Sequence, residues 1–252
     1  MQRKRMLVLM LFIGLIGIGL SPAATVFADS DSDAVETGRL LAVLHDSGRG
    51  TIGANLSLIN DPEKGDKGFT PEVFEKQVTD KFKDRAKVNL ADLKNEKVPE
   101  LAKKVLPQLL DAMKATVADY QPVINKQGLG YKGFIPATFG TQAAAKFQAK
   151  TGVYLKQTAN PARNPKNTPD DFELKALAKF AEASYPRQGE KIISETVDGG
   201  KAVRVMLPLF YGKGCLGCHG EPKGEKDISG YMKEGAKEGD AGGAISVKLM
   251  LK

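Results

Sequence analysis

Apolar residues recur at helical spacing through most of the chain and at strand spacing near its end, and this change of period predicts an α+β fold. Residues 31–60 read as a helix with Asp31, Ser32 or Asp33 as cap and Leu41, His45, Ile52, Leu56 and Ile59 on one face. Thr70 caps a second helix that Pro71 starts, with Val73, Phe74, Val78 and Phe82 on its apolar side. A third covers 98–121, carrying Leu101, Val105, Leu109, Met113, Val117 and Tyr120 along one side, with Pro107 starting a second segment or kinking the first. An asparagine- and proline-dense turn, 160–173, leads to a helix from Pro169 or Asp170 through Ala183. Residues 191–197 and 201–211 then read as strands joined at Asp198-Gly199-Gly200, a hairpin signal. Val203, Val205, Leu207 and Leu209 alternate onto one face, Pro208 marks an edge or bulge position, and 244–251 is the last strand.

A repeat underlies the helical part. KGFTPEVFEKQVTDKFKDRAKVNL at 67–90 aligns without a gap to KGFIPATFGTQAAAKFQAKTGVYL at 132–155, displaced by 65 residues, with 10 of 24 positions identical. Phe69, Pro71, Phe74, Phe82, Val88 and Leu90 match Phe134, Pro136, Phe139, Phe147, Val153 and Leu155. Each copy predicts an aromatic turn, a proline-started helix and a short strand; a solenoid would need more copies.

Composition and charge add an address. Arg3, Lys4 and Arg5, the apolar and glycine run 6–20, and Val26-Phe27-Ala28 fit a secretory signal peptide over 1–28, leaving one domain over 29–252. The run is about 15 residues, short of the roughly 20 that span a bilayer, which favours cleavage over an anchor. Without the first 28 residues the formal charge falls from +7 to about +4. That scattered, mild basicity and an exported, periplasmic address give nucleic-acid binding no support, while peripheral contact with an anionic membrane surface or an acidic partner stays open.

The candidate chemistry is concentrated in KGCLGCHG, 213–220. Cys215 and Cys218 are the only cysteines and His219 is one of two histidines. C-x-x-C-H is the pattern of covalent haem attachment: two thiols three positions apart add to the vinyl groups of one porphyrin, and the adjacent imidazole reaches the iron as proximal ligand. A thioredoxin-type pair should open a helix after an apolar strand, and zinc needs four ligands that the chain can hardly supply. The other histidine, His45, lies on the buried side of its helix. It is either a core histidine bonded to a backbone carbonyl or the distal iron ligand, with Met206, Met232, Tyr231 or an open site as alternatives. Gly48, Gly50 and Gly53, each costing about 1 kcal/mol against alanine in a helix, break that helix or let its backbone approach the haem plane. Arg163 has the fork to pair with a haem propionate, or it is a capping or surface arginine.

RNPKNTPDDFE at 163–173, GCLGCHG at 214–220 and GGAISV at 242–247, following KGFIPATF at 132–139, together resemble a bacterial family of c-type haem domains with a PAS-like fold. That family occurs as stand-alone exported proteins and as the sensing part of membrane histidine kinases. The resemblance implies one covalently attached haem c packed between long N-terminal helices and an antiparallel sheet. It also implies thioether bonds at Cys215 and Cys218, His219 as proximal ligand, and a redox-sensing or electron-transfer role rather than an enzyme's. The partner would be a redox protein or a membrane-bound signalling protein. A gas-binding sensor or a peroxidase would need an open distal site, and a haem-free thiol-disulfide protein is the reading from another class.

Overall fold

The computed structural model of the chain describes residues 26–252, so the expected signal segment lies outside it except for 26–28. Helix α1 (Asp31–Ala54) runs through the middle of the helical layer. Its cap is Ser30, one residue before the expected cluster: residue 30 has extended dihedrals and its hydroxyl accepts from the Asp33 amide at 3.2 Å, while Asp31 and Asp33 complement the positive helix start. The glycines do not break α1, which continues through Gly48, Gly50 and Gly53 before Asn55 separates it from the short α2 (Leu56–Ile59). A Cβ at Gly48 would lie 2.7 Å from Met113 Sδ and 3.0 Å from the Phe139 ring, so this glycine lets neighbouring helices close in.

Those neighbours are α3 (Pro71–Ala86), α4 (Glu100–Ile124) and α5 (Pro136–Thr151). Pro107 sits inside α4 without ending it. Phe69, Phe74, Phe82, Phe134, Phe139 and Phe147 are all fully buried between these helices, so the aromatic positions of both sequence copies form one core.

The structure enlarges the repeat. Asn60 Oδ1 accepts the Lys132 amide and Asn125 Oδ1 accepts the Lys67 amide, each at 3.0 Å. Asp46 pairs with Arg85 at 2.9 Å and Asp111 with Lys150 at 3.3 Å. Asn55 bonds Gln77 at 2.7 Å, and Gln142 bonds Tyr120 at 2.6 Å. Every pair maps onto its counterpart by the same displacement of 65, so the repeated unit is a helical hairpin: α1, α2 and α3 answer to α4 and α5. Both units also end in a left-handed residue, Lys87 and Gly152.

The expected strand of the first copy is absent. Asn89 accepts from the Ala91 amide and starts a 3-10 turn, Leu90–Asn95. Its counterpart in the second copy is Tyr154, which begins β2 (Tyr154–Thr158) because the last strand of the sheet lies beside it. The remaining strands are β1 (Phe27–Ala28), β3 (Ile193–Val197), β4 (Ala202–Phe210) and β5 (Ala241–Leu251). β5 is central: β4 runs antiparallel along one edge, while β2 and then β1 pair along the other, β1 in parallel. The fold is therefore α+β with a mixed sheet, not a purely antiparallel one. Pro208 is tolerated inside β4 because β3 stops pairing at Met206, leaving no partner for the missing amide.

The sheet is covered on both faces. Val203, Val205 and Leu207 join the helical core, and a Cβ at Gly38 of α1 would meet Val205 at 2.7 Å. On the opposite face α6 (Asp171–Ala181), opened by an Asp170–Glu173 capping box, closes a smaller core of Ala176, Leu177, Phe180, Met206 and Ala244. Arg204 crosses this face to Asp170, buried Glu173 and Ser246 at 2.9, 3.0 and 3.0 Å. Among the described residues, no helix is long and apolar enough to cross a membrane.

The reciprocal asparagines give a direct test of the duplicated frame. Asn60→Ala and Asn125→Ala each strand a lysine amide and are expected to lower stability by about 1–2 kcal/mol, by similar amounts. Urea unfolding measures this, and a negligible effect of either substitution would show that the two units are not held by these bonds.

Candidate functional site

β4 delivers the chain to Tyr211, after which a 3-10 turn, Lys213–Cys215, runs into the single turn α7 (Leu216–His219). The motif thus occupies one helical turn in the connection between β4 and β5. Both cysteines are free thiols, Cys215 exposed and Cys218 half-buried. Burial, reinforced by the charge of Asp227, pushes the Cys218 thiol above its usual range.

His219 is held from one side. Its Nδ1 lies 2.9 Å from Glu234 Oε2 and 3.3 Å from the Tyr211 hydroxyl. Burial raises the Glu234 carboxyl, but hydrogen bonds from Arg163 and His219 outweigh that and hold it below the ordinary range. Burial also pushes the His219 imidazole below its usual value, against the opposing pull of Glu234. A neutral ring facing a carboxylate carries its proton on Nδ1, which leaves the Nε2 lone pair available. Tyr211 fixes the plane of the ring: the two ring centroids are 4.8 Å apart and inclined by 30°. Behind Tyr211 the chain is bare, since a Cβ at Gly242 would lie 2.8 Å from the phenol ring. The Tyr211 backbone is pinned both ways, to Asp240 O at 2.9 Å and from the Gly239 amide at 2.8 Å. Burial and the nearby Glu234 charge push its hydroxyl up to about 12.

Arg163 ties the connection together. Its Nε and Nη2 donate to Glu234 at 2.7 and 2.9 Å, and its Nη1 donates to Asp227 Oδ2 at 2.7 Å. Nη2 also donates to the carbonyls of Cys218 and Met232, at 2.9 and 3.2 Å. Asp227 in turn accepts from the Ser229 and Tyr231 amides. The fork does seek carboxylates, as its geometry suggests, but they are the protein's own. Through them Arg163 clamps the motif loop.

Of the other expected ligands, Met206 is sealed in the core beneath α6, on the far face of the sheet from α1. Tyr231 and Met232 are exposed beside Ile228, and the Met232 carbonyl is held on the Glu234 side of His219 by Arg163. His45 lies in α1, whose surface packs against the 213–215 turn. Its ring is fully buried, and its Nε2 is 2.9 Å from the Gly140 carbonyl, the core-histidine arrangement. Nε2 is therefore the donor, and Nδ1 has no hydrogen-bond partner among the described residues. Burial lowers this imidazole to about 4, so the ring is neutral at pH 7.

The surroundings of Gly140 are where the duplicated frame departs from symmetry. Its counterpart in the first copy is Glu75, which pairs with Lys114, the counterpart of Arg49. In the second copy Gly140 supplies no carboxylate, and Arg49 pairs instead with Asp46 of its own helix at 2.9 Å. A Cβ at Gly140 would lie 2.5 Å from Gln157 Oε1 and 3.0 Å from Arg49 Cδ, and both Gln157 Oε1 and Arg49 Nε are buried without partners among the described residues. Glu234, Tyr211, Asp227 and Gly140 escape a reading of single motifs, although an ungapped comparison of the copies does expose the Glu75 to Gly140 change.

A family model described as Tll0287-like matches residues 75–249, a span that takes in the motif, Arg163 and nearly all of the sheet, and the chain belongs to that family. His45 precedes the matched span. No curated protein matches the chain. Among solved structures, one described as the crystal structure of the cyanobacterial heme-protein Tll0287 is 18% identical, with 60% of this chain and 96% of that chain covered and a TM-score of 0.42.

The clamp has a pH signature. Asp227 and Glu234 are both held below the ordinary carboxylate range, mainly against burial, by hydrogen bonds from Ser229 and Arg163 and from Arg163 and His219. Their contribution is complete above the unfolded carboxylate values of about 4 and is lost as pH falls through the lower folded values. Amide hydrogen exchange across 220–240, corrected for intrinsic rates, should therefore stay slow down to about pH 4 and quicken below it. Arg163→Ala should exchange fast at neutral pH as well; equal protection in the variant would mean that Arg163 does not hold the loop.

Proposed function

We propose that this member of the Tll0287-like family is an exported, single-haem c-type protein that transfers electrons or senses redox state, and that it is not an enzyme. The observation that carries the reading is His219, whose Nδ1 is anchored by Glu234 while Nε2 is left free, one position after two free thiols spaced a helical turn apart. Metal-ligating histidines are characteristically oriented this way, through the nitrogen that does not bind the metal. The signal-like segment 1–28 supports export to the periplasm, where such attachment takes place. A PAS-like packing of the haem between the N-terminal helices and the sheet is part of the proposal.

In this reading Cys215 and Cys218 hold the haem by thioether bonds and His219 binds the iron. The bound haem supplies a one-electron ferric–ferrous couple. Tyr211 keeps the imidazole plane fixed, and Arg163 keeps the motif carbonyl at Cys218 in register with Glu234. His45 is the sixth ligand we favour, because it is neutral and its Nδ1 lone pair has no other partner. A second reading, a gas-binding sensor with an open distal position, is favoured by the bond that keeps the His45 ring at Gly140. In either case the output passes to a redox partner or a membrane-bound signalling protein.

Expression with a haem-maturation system tests this. Wild-type protein should show a Soret band that survives acid–organic extraction, and Cys215→Ser with Cys218→Ser should abolish that covalent attachment. Low-spin ferric haem that becomes high-spin in His45→Ala identifies the sixth ligand. High-spin wild-type haem that binds CO moves the reading to the gas sensor, and absence of a Soret band rejects haem altogether.

A further inference from the structure

We infer that Glu234 and Arg163 are opposed positioning residues that set the reduction potential of the iron through His219, an inference that rests on the haem reading above. Glu234 Oε2 is shared: it accepts from His219 Nδ1 at 2.9 Å and from Arg163 Nη2 at 2.9 Å. A carboxylate accepting from Nδ1 pushes electron density into the imidazole and makes Nε2 a stronger donor, which favours the more highly charged ferric iron. Arg163 draws on the same oxygen, and on Oε1 through Nε at 2.7 Å, so it limits how much of that density reaches the ring. The guanidinium is in turn divided between Glu234 and Asp227, whose side chain is fully buried, so its own charge is partly spent on a second carboxylate. Tyr211, 3.3 Å from Nδ1, is too distant to replace Glu234 as the acceptor, and its part is to hold the ring plane.

The three charged groups are thus wired in series, Asp227 to Arg163 to Glu234, with the imidazole at the end. Removing one carboxylate and removing the cation should act in opposite directions. A clamp that merely held the loop shut would not behave so, because loosening it from either side admits water and moves both variants the same way.

Wild type, Glu234→Gln and Arg163→Gln, each matured with haem, are titrated spectroelectrochemically. Glu234→Gln keeps an acceptor for Nδ1 and removes the charge. It is expected to shift the ferric–ferrous equilibrium about tenfold toward ferrous, at the lower end of the 10–100-fold effects of outer-shell changes; for a one-electron couple that is a rise of about 59 mV. Arg163→Gln is expected to shift it toward ferric. If that variant fails to mature, Arg163→Lys, which keeps the charge and loses the fork, should give a smaller shift of the same sign. Shifts of one sign in both variants, or none in Glu234→Gln, overturn the inference. Haem content separates the two levels: wild type without covalent haem overturns the function and this inference together, whereas haem-bearing protein with an unmoved potential overturns the inference alone.

Discussion

The connection between β4 and β5 leaves the sheet at Tyr211 and returns at Ala241 with its large apolar side chains, Ile228, Tyr231 and Met232, facing outward. Apolar burial cannot hold such a segment, and the charge on Arg163 takes that role. One guanidinium engages two carboxylates and two carbonyls drawn from Cys218, Asp227, Met232 and Glu234. Arrangements of this kind are sensitive to deletion of one member, because the remaining buried charge loses its partner. The whole C-x-x-C-H turn therefore depends on a residue that sits in the loop after β2, on the other side of α6 in the chain.

The helical layer imposes a different constraint. Two hairpins related by a fixed displacement present three of the same polar pairs to each other, each made twice. Around Gly140, the counterpart of Glu75, three buried atoms, His45 Nδ1, Arg49 Nε and Gln157 Oε1, have no hydrogen-bond partner among the described residues, although Arg49 keeps Asp46 at 2.9 Å through Nη1. Each such atom costs about 1–3 kcal/mol, and the first copy avoids the cost with Leu110 at the position of His45 and the Lys114–Glu75 pair at the positions of Arg49 and Gly140. Violations of local rules tend to fall at functional positions. This one falls on the helix that packs against the motif turn.

The local chemistry of this fold was legible in the chain and the long-range chemistry was not. Thr70 and Pro71, the Asp198-Gly199-Gly200 hairpin and the alternation of Val203, Val205 and Leu207 act within a few residues, and the structure has each where the pattern puts it. The repeat was legible only where identities cluster, in 67–90 and 132–155, since α1 and α4 share only scattered residues, such as Asp46 with Asp111 and Asn60 with Asn125. The first-copy strand failed because propensity does not supply a sheet edge: β2 exists because β5 is beside it. In the site, the spacing of Cys215, Cys218 and His219 is a property of one turn of chain. Glu234 and Arg163 reach His219 from distant segments, so nothing in the pattern near the motif announces them.

C-x-x-C permits two chemistries, and they ask different things of the thiols. A disulfide catalyst needs a cysteine whose thiolate is favoured by a helix start, a cation or a metal. Cys218 has the reverse: burial and the Asp227 charge raise its thiol, and two cations, Arg163 and Lys233, pull it down without offsetting them. The two cysteines remain unbonded to each other while the histidine beside them is oriented and kept neutral. With Nδ1 turned to Glu234 and Nε2 left free, that imidazole is oriented as the proposed haem reading requires of an iron ligand.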